Sequence, residues 1–269
     1  AGWGYKWGMQ NQRMQHRVDL IDINYLYMPR IDPDFEEKYL NQDQSYILKY
    51  NYADRLIVRM GYSFIYNSSG SLFRDNSVVG NSHAFRFNIE SAGNLLYGLA
   101  RLTKMHQNAD GEYTVLNIPF AQYVKMDLDF TKNFQMDQRN ALVFHLGAGV
   151  AIPYGNARML PFEKRYFSGG ANSVRGWSVR ELGPGSFDSP NNNFLNQTGD
   201  IKLDANVEYR TRLFWKFRGA AFIDAGNIWT LRNYEEQPDG QFKFNQFYKQ
   251  ISVAYGVGLR MDLDFFIVR

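Results

Sequence analysis

The chain has 269 residues, 45% apolar and 16% aromatic, with 30 basic against 27 acidic side chains, a mean hydropathy of −0.44 and no cysteine. So even a charge balance argues against a nucleic-acid partner, the absence of cysteine removes disulfide frameworks and thiolate metal sites, and no run approaches the roughly 20 apolar residues of a membrane helix. Strands with one apolar and one polar face average to a negative hydropathy, so a membrane β-barrel stays open.

No secretory leader is visible at Ala1, and the start reads as mid-domain. Strands are expected over residues 15–28, 55–66, 83–92, 119–131, 139–152, 199–212, 217–229 and 250–262, with a ninth beginning near Asp264. The alternation is clearest in three segments. Over 120–131, Phe120, Val124, Met126, Leu128 and Phe130 oppose Tyr123, Lys125, Asp127 and Asp129. Over 200–212, Ile201, Leu203, Ala205, Val207 and Tyr209 oppose Asp200, Lys202, Asp204, Asn206, Glu208, Arg210 and Arg212. Over 251–264, Ile251, Val253, Tyr255, Val257, Leu259, Met261 and Leu263 oppose Ser252, Ala254, Gly256, Gly258, Arg260, Asp262 and Asp264. Successive strand side chains point to opposite faces, so each segment has an apolar and a polar face.

Length separates two readings of that pattern. Soluble strands mostly run about 5–6 residues, whereas an oblique membrane crossing needs about 9–11. Several segments here reach 12 or more, which favours an all-β transmembrane antiparallel barrel over a soluble β-sandwich binding module. Gly147, Gly149, Gly256 and Gly258 fall on the polar phase, as a crowded lumen requires.

Connections alternate in length. The long set is 29–54, 93–118, 153–198 and 230–249; the shorter set is 67–82, 132–138 and 213–216. Barrels of this kind carry long loops outside and short turns on the periplasmic side, so parity places the long set outside. Within 32–53, Asp32 and Pro33 suit the start of a helix, and acidic residues follow in its first turn. A second short loop helix is expected over 93–103.

The connection 153–198 is far longer than the about 12–15 residues beyond which unstructured loops are usually functional. Its centre reads Tyr166-Phe167-Ser168-Gly169-Gly170-Ala171-Asn172-Ser173-Val174-Arg175-Gly176-Trp177, followed by Leu182-Gly183-Pro184-Gly185. Paired glycines permit backbone turns closed to other residues. On spacing alone, Arg175 is either a solvated turn residue or a guanidinium fork in need of a carboxylate.

The stretch Gly169–Trp177 resembles the GG-x-x-S-[VI]-R-G-[FYW] motif of the BamA/TamA superfamily of outer-membrane assembly factors and their two-partner-secretion relatives. Phe222-Ile223-Asp224-Ala225-Gly226 is similar to the family's F-x-D-x-G strand motif, in the expected order. Trp177 and the Gly183-Pro184-Gly185 turn look more like the TamA-like branch of Bacteroidetes-type bacteria. The resemblance covers the whole chain, but only these two motifs are specific.

It implies a sixteen-stranded barrel of which about eight or nine strands are present. Residues 1–269 would then be a partial C-terminal barrel domain, with loop 153–198 folded into the lumen and the periplasmic POTRA-type domains and the closing strand outside it. The loop motif would comprise Gly169, Gly170, Ser173, Val174, Arg175, Gly176 and Trp177. Its wall partner would be Asp224, flanked by Phe222 and Gly226. These three share a strand phase, which faces the lumen if Ile223 faces lipid. Glu208, on the charged phase of the neighbouring strand, is the second candidate acid.

The implied function is insertion or translocation of β-barrel and surface proteins in the outer membrane of a Gram-negative bacterium. The implied partners are the outer-membrane lipid bilayer, unfolded client proteins, and periplasmic or lipoprotein accessory subunits. A secretion-type translocator or passive pore is the alternative. No enzyme is expected. His16, His83, His106 and His145 show no metal-ligand spacing, no G-x-S-x-G elbow occurs, and Gly147-Ala148-Gly149 opens no helix. Asp127-x-Asp129 and Asp262-x-Asp264 are read as lining a wet lumen rather than binding calcium, and no cofactor is implied.

Overall fold

A computed structural model describes residues 1–9, 13–27, 46–69, 80–188, 196–263 and 267–268. Its long strands are β1 (Gly2–Met9), β2 (Met14–Leu26), β3 (Arg55–Asn67), β4 (Ser82–Ala92), β7 (Tyr123–Gln135), β8 (Asn140–Pro153), β9 (Ile201–Arg212), β10 (Phe217–Trp229) and β11 (Ser252–Asp262). A two-residue strand β12 (Ile267–Val268) follows, and β5 (Thr114–Val115) with β6 (Ile118–Pro119) forms a small separate hairpin in a loop. The rest form one antiparallel sheet in the order β1-β2-β3-β4-β7-β8-β9-β10-β11-β12. Such an up-and-down meander is the topology that outer-membrane barrels use. From β2 to β11 the long strands run 11 to 14 residues, long enough to cross a hydrocarbon layer obliquely.

The two faces divide as the alternation predicts. Register aligns Phe144, Val207, Ile223 and Tyr255 in one row across four strands, and all four are exposed. Leu128, Phe130, Leu146, Val253, Val257 and Leu259 extend this apolar surface. A water-facing patch of this extent would drive association, whereas lipid satisfies it. Phe134, Phe214 and Trp215, exposed near the short turns, stand where barrels place an aromatic girdle. The opposite face carries the aligned row Asp129, Gly147, Asp204 and Gly226, with Asp204 buried.

Strand β2 contains a bulge that the alternation does not reveal. Asp19 pairs with Gly61 and Asp22 with Arg59, so Leu20 and Ile21 together oppose Met60. The extra residue shifts the phase by one. Asp22 consequently shares a face with Arg59, whose guanidinium reaches it at 2.5 Å and Glu90 at 2.8 Å.

Two expectations on element boundaries change. Strand β1 is absent from the sequence reading, which starts at residue 15. Its glycines at 2, 4 and 8 thin the strand signal, yet the segment pairs with β2 from Met9–Met14 to Gly2–Asp22. Among the described residues, nine long strands and a short tenth therefore stand in the sheet. Strand β7 begins at Tyr123 rather than 119 and runs to Gln135, leaving a tight turn after it. The Asp137 carboxylate caps that turn by accepting the amides of Arg139 and Asn140 at 2.7 and 2.9 Å.

The long connections gather at one end of the sheet. Helix α1 (Tyr46–Tyr52) falls within the stretch expected to be partly helical; Asp32 and Pro33 lie outside the described residues. Helix α2 (Asn94–Thr103) occupies the second expected position. A buried cluster of Ile57, Ala92, Ala121, Tyr123, Ala151, Leu160, Tyr166 and Ile228 joins the loop ends of five strands to the 153–198 connection. A second cluster, Ile47, Tyr50 and Met159, packs α1 onto that connection, where the Tyr50 hydroxyl donates to the Met159 carbonyl at 2.6 Å.

Candidate functional site: the docked loop

Strand register builds the receiving surface. On the charged face, Glu208 of β9 lies opposite Phe222 of β10 and Phe222 opposite Gly256 of β11. In the next row, Asn206, Asp224 and Ala254 align. Asp224 sits five residues inside the loop end of β10, about 17 Å along the strand at ~3.4 Å per residue. Gly256 leaves room for the Phe222 ring: a Cβ there would stand 2.7 Å from it.

The loop brings Arg175 to this surface. Gly169 and Gly170 adopt φ of 95° and 86°, and the Gly170 amide donates to the Trp177 carbonyl at 2.7 Å, closing the motif into a compact turn. The Ser173 amide donates to the Gly170 carbonyl, and the Ser173 hydroxyl lies 3.3 Å from that of Ser168. Val174 is fully buried with Leu182 and Ala254, and Trp177 packs beside them. Gly176 abuts the wall, since a Cβ there would meet the Ala254 methyl at 2.7 Å.

The Arg175 guanidinium donates to Asp224 through Nε and Nη2, both at 2.7 Å, and to Glu208 through Nη1 at 2.5 Å. Its backbone amide adds a fourth bond, to Asp224 at 3.1 Å, and its plane covers the Phe222 ring at 3.4 Å. The side chains of Asp224 and Glu208 are only 1% and 3% exposed. Asn206 also donates to Asp224, while Arg210 and Arg260 meet the other Glu208 oxygen at 2.7 and 2.5 Å. Every donor of the Arg fork except one N–H on each terminal nitrogen is thus engaged, and both carboxylates are neutralised.

Both candidate acids therefore converge on one cation, instead of one serving as the substitute for the other. Gly226 lies two residues from Asp224 on the same face, against Asp204 and away from Arg175. Its role is close packing: a Cβ there would stand 2.7 Å from the Leu203 carbonyl oxygen.

Sequence reasoning missed a second set of anchors just before the motif. Three consecutive loop residues meet three different acids. Lys164 reaches Glu90 of β4 at 3.1 Å, Arg165 approaches Asp200 at 3.8 Å, and the Tyr166 hydroxyl donates to Asp127 of β7 at 2.6 Å. Lys125 stands over the Tyr166 ring at 4.2 Å and donates to the Lys164 carbonyl at 3.2 Å. Gly149 provides the space, because a Cβ there would lie 2.6 Å from the Tyr166 ring. The available signal was a glycine on the polar phase of β8 level with Asp127, a gap that needs a filler. At the far side of the motif, Asn227 is fully buried and donates to the Gly185 carbonyl at 2.8 Å.

An antiparallel sheet of membrane-crossing strands, apolar on one face and charged on the other with a long loop docked on the charged face, defines a transmembrane β-barrel of the outer-membrane type. The Omp85 superfamily domain matches residues 31–269, and the chain belongs to that superfamily. It is 29% identical over 165 residues to the sorting and assembly machinery component 50 homolog A of Xenopus laevis, covering 60% of this chain and 34% of that protein. It is 27% identical over 124 residues to the outer membrane protein assembly factor BamA of Neisseria meningitidis serogroup B, covering 43% of this chain and 15% of that one. The chain thus spans about a third of the length of the first relative and less of the second. A crystal structure of BamA from Haemophilus ducreyi lacking POTRA domains 1–3 aligns with a TM-score of 0.44 at 14% identity, over 97% of this chain and 55% of that one.

Proposed function

We propose that residues 1–269 are the C-terminal barrel part of a longer outer-membrane assembly factor in a Gram-negative bacterium. In this reading the protein inserts or translocates β-barrel and surface proteins, and loop 153–198 is held in the lumen by Arg175. Its partners are the lipid bilayer, unfolded client chains and accessory subunits. The observation that carries it is the Arg175 site: one loop cation bound by Asp224 and Glu208 deep on the charged face of β9 and β10. The names of the frog and neisserial relatives, both assembly components, support the assembly role in this reading.

The arrangement suggests a mechanical role and no bond-making step. A guanidinium with two nearly buried carboxylates is costly to undock, because withdrawal leaves uncompensated charge behind. The docked loop stiffens the wall formed by β9, β10 and β11 while other parts of the barrel engage clients.

The test uses the full-length gene in cells depleted of the native copy. Arg175→Ala and Asp224→Ala should lower outer-membrane protein levels similarly and broadly, and the double variant should show no further loss. Additive losses would remove the lock from the mechanism. Failure of one secreted protein, with other outer-membrane proteins unchanged, would replace insertion by dedicated translocation.

A further inference from the structure

Helix α2 leaves one apolar face uncovered. Leu95, Leu99 and Leu102, spaced i, i+4 and i+7, line one side of the helix, and all are exposed, Leu102 by 83%. The opposite side is packed: Ala100 is buried, and the Tyr97 ring meets Tyr113 edge-on at 5.7 Å. Three exposed leucines in a row on an ordered helix are poorly suited to water.

The helix stands on the lipid-facing side of the sheet. Ser91, near the end of β4, is flanked in register by Met60 and Val124, which share the apolar face. Asn94, the first helical residue, donates to the Ser91 hydroxyl at 2.6 Å, and the Tyr154 hydroxyl donates to Asn94 at 2.9 Å. Tyr154 lies two residues beyond Ile152, an exposed member of the apolar surface that pairs with Val124. Leu95 is therefore only a helical step from the apolar surface. Exposed Arg101 and Lys104 lie at the C-terminal end of the helix. Tyr25 and Tyr27, exposed at the loop end of β2, mark the level at which aromatic side chains sit at a membrane boundary.

We propose that α2 is an interfacial anchor, lying in the outer-leaflet boundary with Leu95, Leu99 and Leu102 among acyl chains and Arg101 and Lys104 at anionic headgroups. The occupant is lipid because the leucine stripe continues the lipid-facing surface of β4, β7 and β8, and a basic amphipathic helix is the form that binds such a boundary. This extends the lipid contact beyond the strands to a loop element. It rests on the barrel fold and is independent of the client role.

The chain has no cysteine, so single nitroxide labels can be placed at Leu99→Cys, Leu102→Cys and Arg101→Cys in the full-length protein cleared of any other cysteine. After reconstitution in phosphatidylcholine vesicles with and without phosphatidylglycerol, oxygen should relax the labels at 99 and 102 more than a water-soluble nickel complex does, with the reverse at 101. Phosphatidylglycerol should raise the oxygen preference. Nickel dominance at 99 and 102 would put the helix in water and overturn the proposal. Exclusion of both reagents would give the face to a protein partner and overturn it equally. Should the labelled variants misfold, unmodified protein photolabelled with a diazirine lipid decides the matter: labelling within 94–103 supports the anchor, and labelling confined to the strands rejects it.

Discussion

Two carboxylates meet Arg175, and they differ in what else holds them. Glu208 also has Arg210 and Arg260, whereas among the described residues Asp224 has Arg175 as its one cationic partner. Loss of the guanidinium therefore strands Asp224 in particular, at a cost near the lower end of about 3–5 kcal/mol because Arg175 is itself partly exposed. Arg175→Lys keeps the charge but cannot span both acids with a planar fork. It should retain part of the docking that Arg175→Ala loses, read as intermediate protease protection of the 170–178 stretch. Protection equal to wild type would mean that charge alone suffices.

At the scale of the element, loop 153–198 is fastened in stages rather than at one point. Lys164, Arg165 and Tyr166 tie its first part to β4, β7 and the start of β9, and Arg175 ties its tip to β9 and β10. These two regions have separate partners, so they can loosen separately. Tyr166→Phe removes one hydrogen bond to a carboxylate, worth about 1.5–3 kcal/mol. It should raise amide hydrogen exchange over 162–168 and leave 172–177 unchanged. A uniform rise across both stretches would show the loop docking as a single unit. Gly149→Ala should act in the same place, since its methyl would occupy the space of the Tyr166 ring.

For the whole molecule, neighbouring residues of one strand face opposite solvents. Val257 is 86% exposed on the apolar surface, while Gly258 points to the charged face, where an added Cβ meets nothing within 4 Å. Val257→Arg should destabilise the folded state in vesicles by about 2–4 kcal/mol, and so lower the folded fraction, if that position lies near the bilayer midplane. Gly258→Ala should leave it unchanged, with heat-modifiable migration on gels as the readout. Equal tolerance at both positions would refute the lipid assignment of the apolar face.

Periodicity of two and strand length were enough to establish an all-β membrane architecture, the two faces and the alternation of long and short connections, because those properties are local. The GGANSVRGW stretch and Asp224 were legible through the resemblance of two short motifs to a known family, whereas spacing alone left Arg175 either solvated or in need of a carboxylate. Three features were decided only by tertiary structure. The β2 bulge depends on what β3 supplies opposite Leu20 and Ile21. The joint grip of Glu208 and Asp224 on Arg175 depends on the β9–β10 register, which sets their rows side by side. The Lys164–Arg165–Tyr166 tethers join residues 35 to 74 positions apart, and no periodicity spans such a gap. Alternation along a strand records which face a side chain takes, whereas its partner is chosen by pairing between strands and by how deep the loop descends.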